Sequence, residues 1–166
     1  EFAVAVRIPA WSKITMVTVN GQAVADVRPG SYLTVSRTWK EGDKIALNFD
    51  MRGRLTELNG YQAIERGPVV LARDTRLGEG FVDETCVVQT SGGYVELMPV
   101  TDKPAGVWMA FSAPMKLGTD TEGRAAGIVQ VPLCDFASAG NTWHPAVRYR
   151  VWLRRTFDPI SDPWVE

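Results

Sequence analysis

Residues 14–24 read ITMVTVNGQAV, and this stretch decides the fold class. Val17 and Val19 recur at every second position, the spacing that places side chains on one face of a β-strand. The strand ends at Asn20 and Gly21, which tolerate the positive φ angles that a two-residue type I′ turn requires. The stretch therefore predicts an antiparallel β-hairpin with one buried face.

Alternating apolar residues continue on both sides of this hairpin. Upstream, residues 2–8 (FAVAVRI) predict a strand whose inward face carries Phe2, Val4, Val6 and Ile8. Downstream, YQAIERGPVVLARD predicts two short strands joined by a turn at Gly-Pro. Further candidate strands are GSYLTVSRTW, KIALNFDM, FVDETCVVQ, GYVELMPV, VWMAFS, AGIVQVPL and RYRVWLRR.

Glycine and proline separate these candidate strands. The chain has 15 Gly and 10 Pro in 166 residues, spread so evenly that long helices have almost no room. About ten short strands separated by turns are typical of layered β folds. We therefore predict an all-β protein, a β-sandwich or jelly roll of antiparallel strands, with little or no helix.

The charge and hydropathy of the chain disfavour two classes of partner. The net charge is −1 and the basic residues are scattered, so nucleic acid is not an expected partner. No apolar run approaches the ~20 residues of a membrane span, so a membrane is not expected either. Residues 1–166 contain no secretory leader. We nevertheless favour a secreted or periplasmic location over a cytoplasmic one.

The sequence gives no catalytic or metal-binding motif. Cys86 and Cys134 are the only cysteines; they form one disulfide or remain two buried thiols, and no C-x-x-C spacing is present. His144 is the only histidine and precedes a proline in a turn. The segment GTDTEG is acidic, but its spacing does not match an EF-hand. We therefore expect this chain to need no metal or other cofactor.

Carboxylate pairs are the other catalytic possibility, because two facing carboxyl groups can act as a general acid and a general base. Isolated acids on β surfaces are usually solvated or ion-paired. For Glu65 we expect a partner in Arg66 or Arg73. The candidates are Glu57, Glu65, Asp83, Glu84 and Glu96. None is predicted to be catalytic.

Five motifs occur in an order that resembles one family. They are RIPAWSK, VNGQAV, PGSYLTVSRTWKEGDKIALNFDM, AIERGPVVLARD and DFASAGNTWHPAVRYRVWLRR. The first four resemble the region after the catalytic barrel in β-L-arabinofuranosidase-like glycoside hydrolases (glycoside hydrolase family 127 and relatives). The fifth resembles the C-terminal end of the same proteins. The resemblance covers residues 2–74 and 131–155, and residues 75–130 match none of these motifs.

The resemblance implies how the chain is organised. In that family an (α/α)6 barrel carries the chemistry and β-sandwich domains follow it. Residues 1–166 would be a β-sandwich accessory region of a longer chain, with an internal division near residues 75–80 and residues 131–155 returning to the first sandwich. The family's cysteine nucleophile and zinc site lie in the barrel, so no catalytic residue carries over to this sequence.

Three functions follow as alternatives. The resemblance implies a non-catalytic domain whose partner is the catalytic barrel of its own parent glycoside hydrolase, which it braces and whose substrate cleft it helps to shape. A carbohydrate-binding module for plant-type polysaccharide or oligosaccharide is the alternative. An immunoglobulin-like interaction domain would show similar short strands and turns.

Residues 138–145 (SAGNTWHP) form the best candidate ligand loop. A sugar site commonly combines a flat aromatic ring with polar groups, and this loop offers Asn141, Trp143 and His144. The alternative is an ordinary turn whose tryptophan closes one end of the sandwich.

The segment RYRVWLRR offers a candidate interdomain surface. We predict one continuous strand with Tyr149, Val151 and Leu153 facing inward. The opposite face would expose an aromatic and cationic row that could pack on an absent domain or stack on sugar. That row consists of Arg148, Arg150, Trp152 and Arg154.

Overall fold

The structure is a computed structural model that describes residues 1–78, 81–118 and 127–156. The chain divides into two compact units, Glu1–Met51 and Arg52–Glu166. Within the described ranges every strand pairing is antiparallel, and the single helical element is a short 3-10 turn at Thr75–Leu77. The predicted all-β, antiparallel fold with little helix is confirmed. None of the described helical segments is long and apolar enough to cross a membrane.

The first unit contains five strands in two small sheets. Strand β1 pairs with β4, and β2 lies between β3 and β5. The strands are β1 (Phe2–Arg7), β2 (Met16–Val19), β3 (Gln22–Ala23), β4 (Tyr32–Arg37) and β5 (Ile45–Asn48). Side chains from both sheets enter one apolar core, so this unit is a small sandwich.

The hairpin of the first unit forms where the sequence predicts it. Asn20 and Gly21 have φ angles of 51° and 81°, and Val19 pairs with Gln22 across the turn. The side chain of Asn20 also donates to Asp43 at 2.8 Å and accepts from the backbone of Lys44 at 2.8 Å. The turn is therefore fixed by its own backbone preference and by contacts with the next loop.

The core of the first unit confirms the predicted alternation. Ile8, Val17 and Leu33 are buried, and Val6 and other partly buried residues pack around them. Phe2 is the exception on its strand face, with 59% of its surface exposed. Its ring lies 5.9 Å from the ring of Trp39, whose indole N–H donates to the Phe2 carbonyl at 3.0 Å.

The second unit contains a nine-stranded sheet. The order along its main path is β10-β11-β12-β8-β7-β14; β13 pairs with β8, β6 with β7, and β9 with β11. The strands are β6 (Gly53–Leu58), β7 (Tyr61–Arg66), β8 (Val69–Asp74), β9 (Cys86–Val88), β10 (Met98–Pro99), β11 (Ala110–Leu117), β12 (Ile128–Asp135), β13 (Tyr149–Arg150) and β14 (Leu153–Arg154).

The division between the units lies at Met51 and Arg52, whereas the sequence suggested one near residues 75–80. The 3-10 turn Thr75–Leu77 lies within the second unit and directly follows β8. Strand β12 pairs with β8, with Cys134 opposite Ala72. The end of the chain therefore returns to β7 and β8, which belong to the second unit.

The segment RYRVWLRR is not one strand, so this expectation was wrong. It bends at Val151 and Trp152: β13 pairs with β8, and β14 pairs with the neighbouring β7. Because the partner changes at the bend, one alternating face does not run through the segment. Leu153 is buried as predicted, with 4% of its surface exposed, but Tyr149 is 40% exposed.

Candidate functional site

The candidate sugar-binding residues lie on the connection between β12 and β13. Asn141, Trp143 and His144 are exposed there. Most of this connection consists of hydrogen-bonded turns, including bonds from Ser138 to Asp135 and from Trp143 to Gly140 along the backbone. The connection is therefore an ordered loop, and its base is tied to the sheet by two buried carboxylates.

Asp74, the last residue of β8, is the first of these carboxylates. Only 1% of its surface is exposed. It accepts hydrogen bonds from the backbone and the guanidinium of Arg76, with an Nη2–Oδ2 distance of 2.7 Å, and from the backbone N–H of Gly140 at 2.9 Å. Arg76 in turn donates to the Ser138 carbonyl at 2.6 Å and to Asn141 Oδ1 at 2.7 Å.

Asp135, the last residue of β12, is the second buried carboxylate at the base of the loop. It accepts from the backbone and the hydroxyl of Ser138 at 3.0 and 2.7 Å, and from the backbone of Met109 at 3.0 Å. The Ser138 hydroxyl also accepts from the backbone N–H of Trp108 at 3.0 Å. The two carboxylates thus join three segments of the second unit: residues 74–76, 106–109 and 135–141.

The charges in this network are stabilised by their hydrogen bonds. Burial alone would raise the pKa of Asp74, but hydrogen bonds from the Arg76 side chain, the Gly140 backbone and the Arg76 backbone outweigh burial and hold that pKa below its usual value. The bond to Asp74 raises the pKa of Arg76 further. Asp74 is therefore ionised, and the pair remains charged, at neutral pH.

Asn141 has both ends of its amide engaged. Its Oδ1 accepts from Arg76, and its Nδ2 donates to the Gly106 carbonyl at 2.9 Å. Gly106 has a φ of 82°, and a Cβ built there would lie 3.5 Å from Asn141 Nδ2. The side chain therefore links two loops, and we assign it a positioning role within the candidate site.

Trp143 lies at the tip of the loop, with 92% of its surface exposed. Its φ is 56°, in the left-handed region that bulky residues rarely adopt. The other described non-glycine residues with positive φ are Asn20, Asp26 and Asn59, types that tolerate this conformation. Neither core packing nor backbone preference explains a tryptophan here, and it does not close the end of the sandwich.

His144 offers one free nitrogen at the same tip. Its Nδ1 accepts a hydrogen bond from the backbone of Ala146 at 3.2 Å. In the neutral imidazole the proton therefore lies on Nε2, which becomes a donor. The ring is exposed, so this donor can reach a ligand beside Trp143.

Trp108 was not among the site residues expected from the sequence, although 77% of its surface is exposed. It precedes β11, in a segment where its neighbour Val107 is buried. The alternation in VWMAFS places the side chain of Trp108 on the other face of the chain from Val107 and Met109. This alternation was the sequence signal that Trp108 is exposed. Its proximity to the loop through Ser138 could not be read from the sequence.

The four residues of the predicted interdomain row are exposed or partly exposed, but the bend at Val151 and Trp152 interrupts the row. Arg150 forms an ion pair with Asp83, Arg154 lies 5.6 Å from the centroid of the Tyr61 ring, and Arg148 donates to the Pro145 carbonyl. Trp152 is 42% exposed, at the bend between β13 and β14. It is therefore the residue of this row with the most apolar surface available to a partner.

Among the candidate carboxylates, Glu57, Glu65 and Asp83 form ion pairs within the described residues. Glu65 pairs with Arg54 at 2.5 Å and accepts a hydrogen bond from Thr56 at 3.0 Å. The expected partner, Arg66 or Arg73, was wrong, because Arg54 lies on β6 and that strand was not predicted. The other pairs are Glu57 with Arg155 at 2.9 Å and Asp83 with Arg150.

No group of three or more potential metal ligands occurs in the part of the chain that the structure describes. Most of the acidic segment GTDTEG lies outside the described residues.

The two cysteines are unbonded buried thiols. Cys86 lies in the main core of the second unit, and Cys134 lies in a smaller cluster beside Val107. Burial raises the pKa of Cys86 to about 11 and that of Cys134 to about 12. Neither thiol is positioned to act as a nucleophile at neutral pH.

Comparison with known proteins confirms the resemblance found in the sequence motifs. Residues 1–51 match the family model described as β-L-arabinofuranosidase, GH127 middle domain. The match covers the first compact unit. No curated protein sequence matches the chain.

Solved structures resemble almost the whole chain. A glycoside hydrolase matches 95% of this chain with a TM-score of 0.74 and 24% identity. A GH127 β-arabinofuranosidase matches 92% with a TM-score of 0.69 and 22% identity, and a GH127 β-L-arabinofuranosidase from Geobacillus stearothermophilus T6 matches 94% with a TM-score of 0.66 and 20% identity. These likenesses establish the fold. The chain spans 28%, 27% and 26% of those three proteins.

Proposed function

We propose that this chain is a non-catalytic β-sandwich region of a β-L-arabinofuranosidase-like glycoside hydrolase, and that it braces the enzyme's (α/α)6 catalytic barrel and helps to shape its substrate cleft. The match of residues 1–51 to the GH127 middle domain carries this proposal. The three similar hydrolases support it, because this chain corresponds to little more than a quarter of each.

The chemistry of the described residues fits a supporting role. The paired carboxylates neutralise basic side chains, and the buried thiols have raised pKa values. The described residues provide no cluster that fits the zinc of the resembling family, so we assign no step of zinc chemistry to this chain. We expect no hydrolysis of aryl arabinofuranosides by this chain alone.

Trp152 is our candidate for the contact with the barrel. An exposed indole at a kinked strand end can bury a large apolar area in a partner, and tryptophan is enriched among the residues that dominate interface energies. The neighbouring Arg148, Arg150 and Arg154 would form the polar rim of that contact.

The test is a titration of the parent enzyme's catalytic region with this chain, followed by calorimetry. We expect a saturable complex that Trp152→Ala weakens by about tenfold or more, because loss of a central aromatic contact costs at least ~1.4 kcal/mol. Trp143→Gly is the matched control, since it removes another exposed indole elsewhere, and it should bind as the unaltered chain does. Absence of a complex would contradict the proposal.

A carbohydrate-binding role is a second candidate, favoured by the exposed indole of Trp143 on an ordered loop.

A further inference from the structure

We propose that Asn59 is a site of spontaneous hydrolytic modification, at which the side-chain amide converts to aspartate or isoaspartate under mild conditions. The chain has two Asn-Gly pairs, Asn20-Gly21 and Asn59-Gly60, and the fold holds the two asparagine side chains differently. The site depends only on this chain's own turns and is independent of the proposed function.

An Asn-Gly pair carries both groups that the reaction needs. The backbone nitrogen of Gly60 bonds to Cγ of Asn59, the Cγ–Nδ2 bond breaks, and ammonia leaves with the proton that the Gly60 nitrogen gives up. Water then opens the cyclic imide and returns a proton to that nitrogen. Cleavage of the bond from nitrogen to Cγ gives aspartate, and cleavage of the bond from nitrogen to the main-chain carbonyl carbon gives isoaspartate. Glycine has no Cβ to hinder the attack, so both pairs are intrinsically susceptible.

The two turns have the same backbone shape. Each is a two-residue hairpin loop: Val19 lies opposite Gln22 across the first, and Leu58 lies opposite Tyr61 across the second. The φ angles of the two asparagines are 51° and 48°, and both glycines have a φ of 81°. All four turn residues are exposed. Backbone geometry and access to water are therefore matched, and the side-chain contacts remain as the difference.

The amide of Asn20 is held at both ends. Its Nδ2 donates to Asp43 Oδ1 at 2.8 Å, and its Oδ1 accepts from the backbone N–H of Lys44 at 2.8 Å. Because the reaction reorients this amide and expels Nδ2, these bonds must be lost first. Among the described residues, the side chain of Asn59 makes no such hydrogen bond. Asn59 is therefore the more reactive of two otherwise matched positions.

The modification falls on a turn that supports the end of the sheet. The carbonyl of Gly60 accepts from the backbone N–H of Arg155 at 2.9 Å, directly after β14. Isoaspartate adds one methylene group to the main chain of this two-residue turn, and either product adds a negative charge. Chemical ageing at Asn59 therefore acts where β14 is attached to the hairpin of β6 and β7.

The experiment incubates the intact folded chain in mildly alkaline buffer, well below its melting temperature, and follows conversion by tryptic digestion and mass spectrometry. The two sites fall in separate peptides, residues 14–37 and 55–66, because trypsin does not cut between Arg28 and Pro29. We expect Asn59 to convert about tenfold faster than Asn20, the protection that two hydrogen bonds of ordinary net strength provide. In denaturant the two rates should become similar, because the bonds to Asn20 are then absent.

Two variants connect the rates to the hydrogen bonds. Asp43→Ala removes the acceptor of Asn20 Nδ2 and should raise the rate at Asn20 severalfold without changing the rate at Asn59. Ser31→Ala is the matched control, since it removes a hydrogen bond elsewhere in the first unit, and it should leave both rates unchanged.

Equal rates in the folded chain, or faster conversion at Asn20, would overturn the proposal. A difference of the same size in denaturant would also overturn it, because local sequence and not the fold would then set the rates. An unchanged rate at Asn20 in Asp43→Ala would show that the hydrogen bond gives no protection. The comparison within the unaltered chain decides the proposal even if Asp43→Ala fails to fold.

Discussion

The carboxylate of Asp74 accepts a hydrogen bond from the backbone N–H of Gly140 at 2.9 Å, 66 residues along the chain. This bond ties the end of β8 to the loop that carries Trp143. The same carboxylate holds Arg76, which reaches Ser138 and Asn141. The position of the candidate site therefore depends on this ionised side chain together with Asp135, which holds Ser138 of the same loop.

We predict that Asp74→Asn destabilises the second unit at neutral pH by about 3 kcal/mol, because it leaves the Arg76 charge without its partner. The pKa of Asp74 is lowered in the folded state, so its contribution is fully present above the unfolded value of about 4 and is lost as pH falls through the folded value. Thermal melts at neutral and acidic pH measure this. The difference in melting temperature between the unaltered chain and Asp74→Asn should become smaller below about pH 4. A difference that becomes larger in acid would contradict the assignment.

A side chain at position 140 is predicted to destabilise the fold. Its φ is 65°, and a Cβ built there would lie 2.6 Å from the ring of Tyr149. Gly92 has a similar φ of 56° with open space around it, so Gly92→Ala measures the backbone cost alone, about 1 kcal/mol.

Gly140→Ala should cost about 1–2 kcal/mol more than Gly92→Ala, because overpacking adds to the same backbone strain. The measurement is the free energy of unfolding in urea for both variants. Adding Tyr149→Ala to Gly140→Ala should remove most of the excess. Equal costs in Gly140→Ala and Gly92→Ala would show that the ring moves aside freely.

The two sides of the bend in RYRVWLRR should differ in their effect on stability. Leu153 is 4% exposed in the main core, whereas Trp152 is 42% exposed. We expect Leu153→Ala to lower the free energy of unfolding by about 2–4 kcal/mol and Trp152→Ala to lower it by less than about 1 kcal/mol. Urea unfolding of both variants checks this. A larger loss in Trp152→Ala would mean that its ring supports the fold, and the interdomain role would lose its support.

Cys86 and Cys134 should react slowly with an aromatic disulfide reagent in the native protein at neutral pH. Both are buried, and their pKa values of about 11 and about 12 leave almost no thiolate. In denaturant both should react, giving two thiols per chain. Rapid native labelling, or fewer than two thiols after unfolding without reductant, would contradict the structure.

Local sequence signals predicted the parts of the fold that depend on neighbouring residues. The turn at Asn20 and Gly21 needs only two residues that accept positive φ, and the strand before it needs only alternation. The same local logic located the turn between β7 and β8. These elements required no knowledge of distant contacts.

The errors arose where pairing is non-local. Strand β6 was not predicted because its buried residues do not alternate. Arg54 lies on this strand, so it was not recognised as the partner of Glu65. The bend at Val151 and Trp152 exists because the segment pairs first with β8 and then with β7. This change of partner depends on the sheet as a whole and has no signal in the local sequence.

The candidate site also combines residues that local sequence signals indicate with residues that only non-local pairing brings together. Trp143 and His144 were proposed as site residues from their types within a turn. The roles of Asp74 and Asp135 depend on strand ends that meet only in the folded sheet. The polar amide of Asn141 predicted a ligand group. In the fold, its Oδ1 accepts from Arg76 and its Nδ2 donates to the Gly106 carbonyl.

Bracing of the catalytic barrel is tested most directly by the melting temperature of the parent enzyme's catalytic region, measured alone and with this chain in excess. A partner that binds only the folded barrel at about 100 times its dissociation constant stabilises it by ~2.7 kcal/mol. We predict a rise of several degrees that is retained with Trp143→Gly and reduced with Trp152→Ala. An unchanged melting temperature at saturating chain would contradict the account.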